Sequence, residues 1–141
     1  MNIPMQAQVL KKVFEKVFDE IREQLDLTMN EIIVLLYLES NKNKNTAKDI
    51  VEDSLIAKSH VSKSVDSLVN KNLITRTPDE ENKKIIHLEL NENAEKIMDE
   101  LSKKEEEMKA LVLKGIPEEN IKILEEALEQ VKQNIKEFIN F

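Results

Sequence analysis

The sequence lacks several residue types that particular chemistries require. It has no cysteine, which excludes disulfides, thiol nucleophiles and cysteine-based zinc sites. One glycine and three prolines leave few positions that interrupt helices. No window approaches the roughly 18 apolar residues of a transmembrane helix, and the charged N-terminal stretch lacks the apolar run of a secretory signal. We therefore expect a soluble, cytoplasmic, mainly helical protein with no membrane partner.

The charge is negative overall but unevenly distributed. The net charge of −7 argues at first against a nucleic-acid partner. Residues 56–84, however, contain six basic and four acidic side chains, so this segment carries +2 and the rest of the chain −9. The sequence has no glycine-rich phosphate loop, no nucleophile elbow and no pair of acids in an apolar setting. It predicts neither an enzyme nor a cofactor.

Helical periodicity dominates both ends of the chain. Apolar residues recur at spacings of three and four over residues 5–25 and again over 117–139, which predicts two amphipathic helices. Thr28 and Glu31 fit a capping box that starts a second helix near Met29. Thr46 caps a third helix, and a fourth follows a turn at 54–57. Another helix begins at Asn91 and ends at Gly115.

A β-hairpin interrupts the helices. Residues 73–76 and 85–90 are rich in β-branched residues, and a polar, turn-forming connection at 78–83 lies between them. Two short helices joined by a tight turn and followed by a two-stranded wing constitute a winged helix-turn-helix. The predicted fold is thus mainly α with a small β-hairpin, in a single domain of residues 1–141, with the winged helix-turn-helix at 28–90.

The fourth helix begins with a surface suited to DNA. Apart from the inward-facing Val61, the leading side chains are hydrogen-bond donors and none is acidic. We call this set the recognition surface: Lys58, Ser59, His60, Ser62 and Lys63. The lysines can pair with phosphate or guanine, and the serines and histidine can reach base edges. A merely solvated helix face is the alternative, but solvated faces elsewhere in this chain are rich in glutamate.

Short segments along the chain carry a family resemblance. Residues 27–31 match L-T-x-x-[EQ], residues 46–50 the opening of a helix-turn-helix, and residues 61–76 a recognition helix with the strand that follows. The wing motif R-x-x-D-x-x-D-R-R corresponds to Arg76, Asp79, Asn82, Lys83 and Lys84, and residues 90–94 stand where L-T-x-x-G is usual. In this order and spacing, the segments resemble the MarR (multiple antibiotic resistance regulator) family of transcription regulators over nearly the whole chain.

The resemblance implies a function and a set of sites. It implies a homodimer, with residues 5–25 and 92–141 as dimerisation segments, that binds a palindromic operator on double-stranded DNA. Arg76, Lys83 and Lys84 would contact phosphates beside the recognition surface. Asn82 and Lys83 replace the family's usual Asp–Arg pair, so lysine keeps the charge but loses the planar fork. Ala57 stands where a capping serine is common.

Other interpretations remain open at this point. Small effectors are bound by family members between the dimer arms and the DNA-binding lobe, where Phe14, Phe18 and Tyr37 would lie, although helical spacing makes both phenylalanines core residues first. His87 and Glu89 supply at most two metal ligands, so no metal site is predicted. A winged helix can also serve as a protein-interaction module without binding DNA, and the overall acidity favours that alternative.

Overall fold

The fold is mainly helical with one two-stranded hairpin, which confirms the predicted fold class. The computed structural model describes residues 1–139. The helices are α1 (Ile3–Leu25), α2 (Met29–Ser40), α3 (Ala47–Ser54), α4 (Lys58–Asn70), α5 (Glu95–Val112) and α6 (Glu118–Ile139). The strands β1 (Ile74–Pro78) and β2 (Ile86–Leu90) pair antiparallel, and a 3-10 turn at Glu92–Ala94 precedes α5. None of the helices described is both long and apolar enough for a bilayer crossing.

The chain divides into two compact units, the first spanning Met1–Met108 and the second starting at Lys109. The first unit contains α1 to α4, the hairpin and most of α5. The second contains the last turn of α5 and all of α6. That residues 1–141 form a single domain, with dimerisation segments at 5–25 and 92–141, stays a prediction. Phe141, an apolar residue near the C-terminal end of the predicted dimerisation segment, lies outside the described residues.

Capping interactions fix where the helices of the first unit begin. The capping box predicted at Thr28 is present: its hydroxyl accepts from the Glu31 amide at 3.1 Å, and the Glu31 carboxylate accepts from the Thr28 amide at 3.3 Å. Thr46 and Asp49 form a second capping box at the start of α3. Ala57 makes no side-chain cap on α4, so the recognition helix starts without that stabilisation.

One hydrophobic core joins α1 to α4, the hairpin and α5 within the first unit. Its fully buried members include Phe18, Ile32, Leu35, Ile50, Val61, Leu68, Ile74 and Leu101. In α4 the buried positions are 61, 64, 65 and 68, one face of the helix at spacings of three and four. Because that face is held in the core, the positions between them must face outward.

Several boundaries differ from the sequence prediction. The first helix begins at Ile3 rather than residue 5, because the Asn2 side chain accepts from the Met5 amide at 3.0 Å and caps it. The first strand runs over 74–78 rather than 73–76. Leu73 instead lies in the turn that follows α4, where its amide donates to the Leu68 carbonyl at 3.0 Å. Asn72 adopts the predicted left-handed conformation with φ 59°.

The fifth helix is shorter than the predicted span from Asn91 to Gly115. Its first residues form the 3-10 turn, and its α-helical part ends at Val112. Gly115 has φ 80°, a conformation that favours glycine, and it lies in the turn after the helix rather than directly at its end. The prediction that this helix ends at Gly115 is therefore wrong by three residues, although Gly115 has the left-handed conformation that favours glycine.

Candidate nucleic-acid interface

The recognition surface is fully presented to solvent. All five of its side chains are exposed, while Val61, Ser64, Val65 and Leu68 on the same helix are buried. Within residues 1–139, neither Lys58 nor Lys63 forms an ion pair. These ammonium groups are therefore available to an anionic partner. Their contact with DNA stays a prediction.

Two cavities show which predicted residues lie together. A cavity of about 500 Å³ between α3, α4 and the hairpin is bordered by Lys58, Ser62 and Arg76, with Lys48 of α3 beside them. A second cavity, of about 380 Å³ between the start of α2 and α4, is bordered by His60 and Lys63. Concave surfaces thus flank the recognition surface on both sides. Arg76 borders the same cavity as Lys58 and Ser62.

Arg76 has a partner that the sequence analysis missed. Its guanidinium forms an ion pair and hydrogen bond with the Asp66 carboxylate, which joins β1 to the exposed side of α4. Both side chains remain largely exposed, at 45% and 61%. Exposed ion pairs contribute little stability. The pair has a larger effect on the local charge, because Arg76 neutralises Asp66, the acidic residue of α4 that follows the recognition surface.

The loop between the strands is ordered by its own side chains. The Asp79 carboxylate accepts from the amides of Glu81 and Asn82 at 3.1 and 3.0 Å, and the Asn82 side chain accepts from the Lys84 amide at 3.2 Å. Asn82 thus supplies an oxygen acceptor at the position where aspartate is usual. Lys83 and Lys84 are both exposed on this loop. We refer to β1, β2 and the loop 79–85 as the wing.

His87 links the wing to the rest of the first unit. Its Nε2 lies 2.7 Å from the Asp79 carboxylate, and its Nδ1 lies 2.7 Å from the side-chain oxygen of Asn45, in the loop before α3. The hydrogen bond with His87 is the main reason why the pKa of Asp79 lies below its usual value. Glu89 is not a partner of the ring. Across residues 1–139, no three His, Asp or Glu side chains are grouped closely enough for a metal ion.

A buried carboxylate positions α4 against α2. Glu31 is 3% exposed, and its carboxylate accepts from Lys71 Nζ at 2.9 Å and from the Ser67 hydroxyl at 3.3 Å. Lys71 also donates to the carbonyl of Asp26. In the sequence, Lys71 is distinguished only as one of the six basic residues of segment 56–84. The capping motif predicted that Glu31 lies in the first turn of α2. It gave no indication that the Glu31 carboxylate also pairs with Lys71, 40 positions away in the chain.

The three aromatic residues predicted to contact a ligand belong to or pack against the same core cluster, but they have different partners. Phe18 is fully buried, and Phe14 packs on it with ring centroids 5.0 Å apart. The Tyr37 hydroxyl donates to the Asp53 carboxylate at 2.8 Å, joining α2 to α3. Burial, followed by that hydrogen bond, raises the pKa of Tyr37 above its usual value. All three have structural roles here, and ligand contact stays a prediction.

Apolar residues remain exposed in both units. In the first unit the beginning of α1 exposes Ile3, Met5, Val9 and Leu10. In the second unit, no residue of α6 between Glu118 and Ile139 is buried. Along α6, alternating spacings of three and four connect a set that we call the α6 seam: Ile121, Leu124, Leu128, Val131, Ile135 and Phe138. This is the spacing of the contact positions in a coiled coil.

Comparison with known proteins decides the family. Residues 16–101 match the family described as transcriptional regulator SarA/Rot. The chain belongs to this family. An uncharacterized HTH-type transcriptional regulator of Bacillus subtilis (strain 168), YpoP, is 33% identical over 103 residues, which cover 70% of this chain and 71% of YpoP. This SarA/Rot family member is thus a winged-helix transcriptional regulator.

Solved structures confirm the MarR-type fold of the SarA/Rot family member. A MarR family transcriptional regulator from Listeria monocytogenes, complexed with 26mer DNA, is 24% identical with a TM-score of 0.77, covering 96% of this chain and 87% of that protein. CouR from Rhodococcus jostii RHA1, bound to p-coumaroyl-CoA, is 14% identical with a TM-score of 0.80, covering 93% of this chain and 92% of CouR. The resemblance to MarR regulators seen in the sequence is confirmed.

Proposed function

We propose that this regulator binds double-stranded DNA as a homodimer on a palindromic operator. The observation that carries the proposal is the recognition surface, an exposed run of donor side chains on a helix whose opposite face is fixed in the core. The Listeria relative of the same fold was solved as a DNA complex, which supports the proposal. The major groove admits one α-helix, and α4 is the helix that carries these donors.

The residues divide into two roles. Lys58, Lys63, Lys83, Lys84 and Arg76 neutralise phosphates, which gives affinity and orientation. Ser59, His60 and Ser62 reach base edges and add sequence preference. The remainder of the chain is strongly acidic and repels DNA, so the basic segment directs the approach.

The exposed apolar faces support the homodimer. The α6 seam repeats at coiled-coil spacing through most of the helix, yet Leu124, Leu128 and Val131 are 39%, 56% and 49% exposed. Exposure of such a stripe costs roughly 25 cal/mol for each Å² of apolar surface left in water. A second copy of this chain would cover the seam and the start of α1, and two-fold dimers are the commonest oligomers.

The proposal also includes control of DNA binding by a small ligand. CouR has the same fold and was solved with p-coumaroyl-CoA bound. In this chain Phe14, Phe18 and Tyr37 are the candidate contact residues. A ligand that changed the separation of the two recognition helices would weaken binding, because the separation of the half-sites is fixed. Binding of a hydrophobic acid that leaves operator affinity unchanged would contradict this control.

Lys63→Ala tests the assigned surface. We expect affinity to fall on the order of tenfold to a hundredfold at about 0.1 M salt, equally for different sequences. The slope of log affinity against log salt should decrease by about two, one for each chain of a dimer. Fluorescence anisotropy with labelled duplexes measures both quantities. Lys96→Ala, an exposed lysine of α5, is the matched control, and equal behaviour of the two variants would reject the surface.

Asp66→Asn tests the role of the Asp66–Arg76 pair. The change removes a negative charge beside the recognition surface and releases the Arg76 guanidinium. We expect operator affinity to rise by about threefold to tenfold, with a steeper salt dependence. Asp99→Asn on α5 removes the same charge at an exposed position elsewhere. A loss of affinity in Asp66→Asn would mean that the pair orients Arg76 rather than restraining it.

The alternative function is a protein-interaction module that does not bind DNA, and the net charge of −7 favours it. The residue types of the recognition surface distinguish the two functions. Protein interfaces are anchored mainly by aromatic residues and arginine, whereas this surface has lysines, serines and one histidine. Failure to bind any duplex at low salt would favour the interaction module.

A further inference from the structure

The ring of His87 connects three segments of the first unit. His87 lies on β2, Asp79 follows β1, and Asn45 precedes α3. Asn45 is itself fixed, because its carbonyl accepts from the Leu88 amide at 2.9 Å. One side chain therefore joins the wing loop to the segment that leads into the helix-turn-helix.

The number of protons on the ring decides how many of these hydrogen bonds form. Both partners present oxygen atoms at 2.7 Å, and a carboxylate or an amide oxygen can only accept. A neutral imidazole has one N–H and can donate to one of them. The imidazolium has two and can donate to both. With a neutral ring, one nitrogen lone pair would face an oxygen lone pair at hydrogen-bond distance.

The Asp79 carboxylate connects the His87 ring to the segment that carries the wing lysines. One of its oxygens, Oδ1, meets His87, while the other, Oδ2, holds the amides of Glu81 and Asn82. The turn built on those amides leads directly into Lys83 and Lys84. Fixing Asp79 therefore fixes the loop that presents both lysines.

We propose that His87 is a protonation-dependent positioning residue, which locks the wing in its DNA-binding geometry when both ring nitrogens carry protons. This inference rests on the proposed function, because the wing lysines are assigned there to DNA. Affinity should then be higher at mildly acidic pH and decrease as the ring loses a proton.

Other charged groups lie on the segments around the ring, and those of the wing loop are Glu80, Glu81, Lys83 and Lys84. Glu89 lies two residues along β2 on the same side of the strand. Glu39 near the end of α2 and Lys42 in the loop after that helix border a cavity with Asn45 and Glu89. Lys44, next to Asn45, is paired with Asp53 at 3.6 Å, and Thr77, opposite His87 on β1, is uncharged. The His87 side chain is 31% exposed, so solvent reaches it.

The experiment must separate His87 from the other histidine. His60 lies on the recognition surface and is the other of the two histidines, so the pH series is measured in a His60→Gln background, with and without His87→Gln, once DNA binding by the unmodified protein has been measured. Titration of a histidine falls between about pH 6 and pH 7.5. Two quantities are followed across this range on the full chain: the NMR order parameters of the Glu81, Asn82 and Lys84 amides without DNA, and the affinity for duplex DNA.

In His60→Gln, the loop order parameters should decrease on going from about pH 6 to about pH 7.5. Affinity should decrease by about threefold to tenfold for each of the two wings of the dimer, the size expected for one hydrogen bond. In His60→Gln/His87→Gln, neither quantity should depend on pH. The ¹⁵N shifts of the His87 ring in His60→Gln report its two protons directly, and this readout does not require the second variant to fold.

A loop whose order does not change with pH in His60→Gln would overturn the proposal. That result is expected if the Asn45 amide turns its NH₂ group towards a neutral ring. Failure of the unmodified protein to bind DNA at any pH would instead overturn the proposed function, while the order parameters and ring shifts would still decide the role of His87.

Discussion

Replacing Leu124 and Leu128 by glutamate is expected to convert the protein to a monomer. Both residues lie in the middle of the α6 seam, and buried carboxylates facing each other across a dimer could not be solvated. A monomer engages a single half-site, so affinity for a palindromic duplex should decrease by about a hundredfold to ten thousandfold. Sedimentation velocity measures the assembly, and anisotropy measures DNA binding.

The control for this variant adds the same charge to the other side of α6. Gln130→Glu/Gln133→Glu places two carboxylates away from the seam, on exposed positions. It should remain a dimer and bind DNA with little change beyond the added repulsion. Circular dichroism shows whether both variants keep their helices. A dimer that persists in Leu124→Glu/Leu128→Glu at the same concentration would contradict the role of the seam.

Replacing Lys71 by methionine is expected to reduce the free energy of unfolding by about 3 kcal/mol, within the range for breaking a buried ion pair. The Glu31 side chain is 4% exposed, so losing Lys71 leaves a buried carboxylate with only neutral donors. The loss acts where α2 supports α4, so DNA binding should also weaken. Urea unfolding measures the stability, and an unchanged m-value would indicate that the unfolding reaction is the same.

Two control variants separate the loss of the Glu31–Lys71 ion pair from a general effect of replacing a lysine in α4 or next to it. Glu31→Gln/Lys71→Met removes both charges and should recover more than half of the lost stability, because the uncompensated charge is gone. Lys63→Met on the exposed side of the same helix should change stability by less than about 0.5 kcal/mol. If Lys71→Met cost no more than Lys63→Met, Glu31 would not depend on its ion pair.

Local features of the sequence predicted most of the fold. The Thr28 capping box, the left-handed Asn72 and the hairpin all follow from rules that act within a few residues, and each is confirmed. The inward face of α4 follows from helical periodicity. The boundaries were less certain because they depend on distant contacts: Pro78 extends β1 only because it pairs with Ile86 across the hairpin.

Side-chain partners between elements could not be predicted in this way. Arg76 and Asp66 lie ten positions apart on a strand and a helix, and His87 and Asn45 lie 42 apart. No periodicity connects such pairs, because they depend on how the elements pack. The aromatic residues illustrate the same limit, since Phe18 fitted both a core position and a ligand contact until its complete burial was known.

The net charge of −7 argues at first against DNA binding, but the distribution of charge around the recognition surface and the wing is compatible with it. The recognition surface contains no acidic residue, and the next acidic group of α4, Asp66, is paired with Arg76. At the wing, His87 and two backbone amides hold the Asp79 carboxylate. Glu80 and Glu81 of the same loop are exposed, but residues 56–84 keep a net charge of +2 against −9 for the rest of the chain, which limits the orientations in which DNA can be approached.

Selection from a pool of random duplexes tests the central claim most directly. The purified protein is incubated with the pool over a range of salt concentrations, and the retained sequences are read. A dimer that inserts two α4 helices predicts a palindrome whose half-sites are about ten base pairs apart, with affinity that falls steeply with salt. Retention of no duplex at low salt, or enrichment of isolated half-sites without symmetry, would contradict the account.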